Sequence, residues 1–327
     1  MNLIGIYVKM IHNLYDWRIY MQKTSKIYTN MVFVTFAALL CTALWGSATP
    51  AIKIGYELLL PERNVSSIML FAGIRFTLAG IITIIIYSLA RRKFLFPKKS
   101  SYPKVAIVSC FQTVIQYIFF YIGLANTTGV KGTILSGSNV FFAIIIASLI
   151  FHQEKITLKK IIGCVLGFAG IIVVNLKGLD LKMNFFGDCF VLFSAISYAI
   201  SSVLMKRYSQ NEDPVIISGY QFVIGGLFMV IVGLSFGGYV SISSMTGIWV
   251  LIYLSFLSAV AYSVWGILLK HNPVSRVTVF SFTIPVFGVL LSYALLKSED
   301  SAVDITNLLS ALVLICSGVF ILNYKKQ

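Results

Sequence analysis

Arg75 stands in the run FAGIRFTLAG (71–80), about eight residues into an apolar stretch and so roughly 12 Å along a helix at 1.5 Å per residue. A cation held in hydrocarbon costs ~2.5–3.5 kcal/mol on insertion scales and is usually turned toward a bundle interior. Two chemistries are open to it. It can meet a carboxylate on a substrate, or it can bond carbonyls and polar side chains of neighbouring helices and set their packing. Uncharged polar groups recur in similar surroundings: Gln112, Gln116 and Tyr117, then Ser138 and Asn139, then Ser281. Gln112 and Gln116 are four apart and share a helix face. Pro285 lacks an amide hydrogen and so frees a carbonyl in the preceding turn. Each serine alone reads as glue between helices. Joined by the aromatic residues Trp45, Tyr198, Tyr262 and Trp265, these groups make an aromatic and amide-lined pocket, which suits a neutral or zwitterionic metabolite.

Acid–base catalysis and metal binding need clustered Asp, Glu, His or Cys. His12, His152 and His271 are scattered, and the acid pairs Glu212-Asp213 and Glu299-Asp300 read as solvated loop. No catalytic residue, metal or cofactor is expected. Transport is either uncoupled or coupled through Asp188, near the outer end of an apolar run. The five cysteines (Cys41, Cys110, Cys164, Cys189, Cys316) fall in apolar segments with no C-x-x-C pair, as small apolar side chains do.

The elements that must position these residues follow from composition. Of the 327 residues 58% are hydrophobic and 11% charged, and the mean hydropathy is +0.89. A soluble domain keeps roughly a quarter of its residues charged. The fold class is therefore an all-α polytopic membrane protein. Ten transmembrane helices are expected near 32–54, 66–90, 104–125, 130–151, 159–176, 186–206, 214–236, 247–269, 274–296 and 304–324. The net charge of +15 reads as basic loops on the cytoplasmic side of a bilayer rather than a nucleic-acid face. With the N-terminus inside, that side collects most of the Lys and Arg, among them Arg91, Arg92, Lys93, Lys155, Lys159, Lys160, Lys206 and Arg207. Both termini are then cytoplasmic, in a plasma membrane. Residues 1–30 are polar and basic; they are either a cytoplasmic amphipathic extension or sequence upstream of a true start at Met31.

A common shift lays Gly73-Ile74-Arg75-Phe76 on Gly219-Tyr220-Gln221-Phe222 and Gly80 on Gly226. Nearby shifts lay Trp45 and Lys53 on Tyr198 and Lys206, and Gly170 and Asn175 on Gly318 and Asn323. Two units of five spans face opposite ways, because five is odd. The expected plan is an inverted repeat, 31–176 and 186–327, joined by an external linker, 177–185. Such repeats are a recurrent plan of secondary transporters, with the substrate near the midplane. Gln221 at the place of Arg75 favours packing over anion binding for both. Gly163-x-x-x-Gly167 reads as close packing within the chain rather than a dimer seam; the oligomeric state is open, and a monomer suffices.

The stretch AALLCTALWGSATPAIK (37–53), the GIRF of the second span, Glu154 closing the fourth and GCVLGFAGIIVV (163–174) together resemble the EamA family of the drug/metabolite transporter superfamily. The resemblance covers about 31–324. It implies ten helices in two inverted five-helix units and export or exchange of small metabolites such as amino acids. Tyr198 stands where that family often has tryptophan. The function expected is thus a secondary transporter working by alternating access, with a small-molecule metabolite and the lipid bilayer as partners. The alternative is an integral-membrane enzyme acting on a lipid-soluble substrate; a channel lacks any filter-like segment.

Overall fold

The computed structural model describes residues 26–176, 182, 184–242, 244–296 and 305–324. The N-terminal extension, the linker, Glu299-Asp300 and the tail with Lys325 and Lys326 lie wholly or largely outside these residues. Among the described residues there are ten helical segments and no strands. They are α1 (Met31–Leu59), α2 (Val65–Ala90), α3 (Lys99–Ala125) and α4 (Gly129–Ile150), then α5 (Leu158–Val174). The second half repeats them as α6 (Phe185–Tyr208), α7 (Pro214–Ser235), α8 (Met245–His271), α9 (Val274–Ala294) and α10 (Ile305–Asn323). Nine are long and apolar enough to cross a membrane. The tenth, α5, has 17 residues and falls short of that length.

Short polar residues start the helices. Asn30, Asn64, Asn184, Asp213 and Ser244 each accept a backbone N–H from the first turn, satisfying donors that a helix start leaves free. Large apolar side chains face outward: Phe36 is 73% exposed, Leu89 72% and Trp249 64%. Only a hydrocarbon surround makes such a surface favourable, and the bundle is a multi-pass membrane protein.

The two halves pack about a pseudo-two-fold axis. α2 packs on α7 and α5 on α10, each helix against its own repeat equivalent, while α1–α8 and α1–α9 are matched by α6–α3 and α6–α4. A methyl built on Gly80 would come within 2.5 Å of the Gly219 carbonyl oxygen, and one on Gly73 within 2.9 Å of that of Gly226. Under the repeat these two contacts are one contact seen twice, and their order shows that α2 and α7 run antiparallel. Phe76 and Phe222, also repeat equivalents, stack at 5.2 Å and 6° where the axis passes. The halves are therefore inverted. In the same way Gly163 of the Gly163-x-x-x-Gly167 pair meets Gly318, and Gly170 meets Ala311 and Ile315.

Gly80→Ala is expected to destabilise the protein by about 1–3 kcal/mol, because the facing backbone cannot give way as a side chain could. Thermal unfolding in detergent measures it; an unchanged midpoint would show that the crossing tolerates separation.

Glu212 departs from the expectation of a solvated loop. It is 6% exposed, and its oxygens accept the N–H groups of Lys98 at 3.0 Å and Asp213 at 3.1 Å. Burial pushes its pKa up, but these bonds and the Ser101 hydroxyl outweigh it and hold the carboxyl below its ordinary value. Backbone donors on both sides of a short loop make burial of this acid tolerable, and it ties the α2–α3 connection to the α6–α7 connection.

Candidate functional site

The halves enclose a cavity of about 1030 Å³. One face of α1 supplies Trp45, Thr49, Ile52, Lys53 and Tyr56, positions spaced three and four apart and so aligned along the helix. α2 contributes Arg75, α3 Gln116, Tyr117 and Tyr121, and α4 Ser136 and Asn139. The second half adds Ser194 and Tyr198 from α6, Tyr262 from α8, Ser281 and Pro285 from α9 and Asn307 from α10. Irregular backbone brings several of these in. α3 widens into a π-type turn over Cys110–Ile115, directly before Gln116. α9 tightens over Val279–Thr283, just ahead of Pro285, whose missing N–H leaves that turn without a regular bond.

The cavity reaches only one end of the bundle. Its lining runs from mid-helix aromatics to Lys53, Thr128, Asn175 and Asn307 at helix ends, and Thr49, Lys53 and Thr128 are exposed there. Its floor is aromatic: Trp45 meets Tyr262 at 5.1 Å, Tyr262 meets Phe222 at 4.8 Å and Phe76 meets Tyr117 at 4.5 Å. The Tyr117 and Tyr262 hydroxyls are 3.1 Å apart. Beyond the floor lies a void of only about 10 Å³, lined by Gln112, Tyr198, Met205, Tyr262 and Trp265.

Past that void the bundle is sealed by contacts between the halves. Glu154, after α4, accepts the Ser275 N–H at 3.0 Å and the Ser275 hydroxyl at the start of α9, and it pairs with Lys160 at 2.8 Å. Gln153 donates to the Val203 carbonyl at 3.2 Å. Within the second half, Lys206 of α6 also closes this end by donating to the carbonyls of Leu269 and Asn272 at the end of α8.

Of the residues expected at the site, Trp45, Gln116, Tyr117, Asn139, Tyr198, Tyr262, Ser281 and Pro285 line the cavity together with Arg75. Gln112 and Trp265 line the small void beneath the floor instead. Ser138 lines neither and donates to the Leu135 carbonyl. Gln221 is fully buried away from the cavity, accepting from Thr113 at 2.7 Å, while its carbonyl accepts from Ser109 at 2.9 Å. Asp188 is also off the cavity, 2.8 Å from Lys131 and bonded to Thr127 and the Asn184 N–H. Lys53 and Thr49 were not among the residues expected; their spacing from Trp45 on one face of α1 was the signal for them.

The cavity's polar atoms are unusually free. Among the described residues Trp45 Nε1, Arg75 Nε, Gln116 Oε1, Asn139 Oδ1 and Ser281 Oγ are buried without a hydrogen-bond partner, and all five residues line this space. Buried polar groups are normally paired, so five unpaired ones around a single cavity mark a surface built to hold a solute.

Comparison with known proteins agrees with this geometry. The chain is 26% identical over 293 residues to an uncharacterized transporter of Archaeoglobus fulgidus, covering 88% of this chain and 97% of that one. It is 28% identical over 262 residues to the uncharacterized transporter YvbV of Bacillus subtilis, covering 79% and 83%. A protein of known crystal structure shares the fold with a TM-score of 0.70 at 17% identity, over 89% of this chain and 96% of that one. The profile of the EamA-like transporter family matches twice, over residues 32–176 and 185–324. Each match takes in one of the two inverted halves, and the chain belongs to the EamA-like transporter family.

Proposed function

We propose that this transporter is a secondary carrier, an exporter or exchanger of small organic metabolites such as amino acids, working by alternating access in the plasma membrane with both termini cytoplasmic. The observation that carries the reading is a solute-sized cavity between inverted halves, open at one end and sealed at the other. With the expected orientation, the open end is external. The repeat also supplies the other state. Lys206 at the sealed end caps the α8 terminus at Asn272, its repeat equivalent Lys53 lies exposed at the mouth, and Asn126 ends α3 at the place equivalent to Asn272. Exchanging the roles of the halves buries Lys53 against the α3 terminus and frees Lys206.

Two measurements test this. Labelled amino acids in proteoliposomes should show saturable flux accelerated by solute on the opposite side; non-saturating flux would indicate a channel, and product without flux an enzyme. In a cysteine-free background, Lys53→Cys and Lys206→Cys should show reciprocal reactivity to an impermeant maleimide as solute shifts the population. Parallel changes at both positions would contradict exchange of the halves.

A further inference from the structure

Arg75 and Gln221 occupy equivalent places in the two repeats but are treated differently by the fold. Gln221 is bonded through its oxygens, the side-chain oxygen accepting from Thr113 and the backbone carbonyl from Ser109, while its Nε2 is buried without a partner. That is the helix-packing role that symmetry alone would give to both positions. Arg75 makes no hydrogen bond or ion pair among the described residues. It is 5% exposed, its Nε is unpaired, and its guanidinium rests 4.4 Å over the Phe76 ring, on the Phe76–Phe222 stack at the pseudo-two-fold axis. A side chain kept for packing would bond a neighbouring helix through at least one side-chain polar atom, as Gln221 does through its oxygen. This one lines the cavity.

The charge around it has one sign. Among the described residues no Asp or Glu lines the cavity, whereas Lys53 lines its mouth. A permanent cation at this depth lacks a protein counter-ion, and a positively lined funnel leads to it. Nearby donors also suit an anion: the unpaired Trp45 Nε1–H and Ser281 hydroxyl. The planar guanidinium fork matches a carboxylate in a two-bond arrangement. A phosphate dianion would keep uncompensated charge beside a single arginine, and an organic cation would be repelled.

We propose that Arg75 is the carboxylate-binding residue of the cavity, so that the carried solute is a small organic monocarboxylate, with or without an amine, whose body lies against the aromatic floor of Trp45, Tyr117 and Tyr262. This names the substrate class of the carrier proposed above and rests on that reading for its transport role. The unpaired oxygens of Gln116 and Asn139 accept an amine where the solute carries one.

Equilibrium binding tests it without depending on flux. Purified full-length protein is titrated by thermal shift and calorimetry with monocarboxylates and their amides as matched pairs: phenylacetate and phenylacetamide, indole-3-acetate and its amide, phenylalanine and phenylalaninamide. At least one acid should bind about tenfold or more tightly than its amide. Arg75→Gln, which copies the second half, should abolish that preference, and Arg75→Lys should retain part of it. Amides that bind as well as their acids in every pair overturn the proposal. So does an acid preference that survives Arg75→Gln. If Arg75→Gln fails to fold, Arg75→Lys decides: an acid preference reduced in part with an unchanged melting point supports the fork geometry, and an undiminished affinity overturns it. Acid-selective binding without flux in liposomes would count against the carrier reading and leave the assignment of Arg75 standing.

Discussion

Glu154→Gln is expected to unseal the closed end of the cavity and raise the population open on that side about tenfold. Glu154 has a side chain 6% exposed and holds Lys160 at 2.8 Å. It also bridges the halves by accepting both the N–H and the hydroxyl of Ser275. Stranding Lys160 costs stability in both states, because that pair lies within the first half and Lys160 keeps the Lys155 carbonyl at 2.6 Å. The bias between states comes from the Ser275 bonds, which join the halves only while this end is sealed. Hydrogen bonds to a charged group contribute roughly 1.5–3 kcal/mol, and the low end applies since the amide keeps one acceptor. About 1.5 kcal/mol corresponds to roughly one power of ten in population. Met205, 3% exposed on the small void beneath the floor, is the reporter position. In a cysteine-free background, Met205→Cys should react with an impermeant maleimide from the sealed side far faster once Glu154→Gln is added. Equal rates would show that the seal is apolar packing and not the Glu154–Ser275 contact.

Asp188→Asn should lower stability by about 3–5 kcal/mol, by the same stranding of a buried partner. Asp188 is 4% exposed and collects Lys131 at 2.8 Å, the Thr127 hydroxyl at 2.6 Å and the Asn184 N–H at 2.9 Å. Thr127 and Lys131 flank the start of α4, which forms part of the cavity mouth, while Asp188 and Asn184 begin α6. The carboxylate therefore pins the first half to the second at the open end, as Glu154 does at the sealed end. The expected result is a melting point lower by several degrees, with binding at the floor little changed. Unaltered stability would show that Lys131 relaxes to water without penalty. Uptake driven by a proton gradient that persists in Asp188→Asn would remove Asp188 from ion coupling.

The membrane class was plain in composition, since no water-facing surface can be made from a chain that is 11% charged. The inverted repeat was legible for a similar reason: close helix crossings demand glycine at corresponding places, and Gly73, Gly80, Gly219 and Gly226 sit where α2 and α7 touch. Trp45, Gln116, Asn139 and Tyr262 stood out as polar or amphipathic groups in apolar runs, and they line one cavity. Gln112 had the same signature but faces the void beneath the floor. Side-chain spacing gives a helix face, not the neighbour that face meets. Glu212 was misread for a comparable reason, because backbone donors from a distant loop leave no mark in the residues around it.

The order of the apolar and polar residues was enough to dictate a helical membrane bundle, which glycines let its helices cross, and that two like halves oppose each other. These are properties of local pattern and of repetition along the chain. Which end of the cavity is open, which acids pin the halves, and which member of the Arg75–Gln221 pair is left unbonded came only from the folded bundle. Each depends on contacts between residues far apart in the chain. An inverted repeat makes its two ends nearly equivalent in sequence, so packing alone breaks the tie.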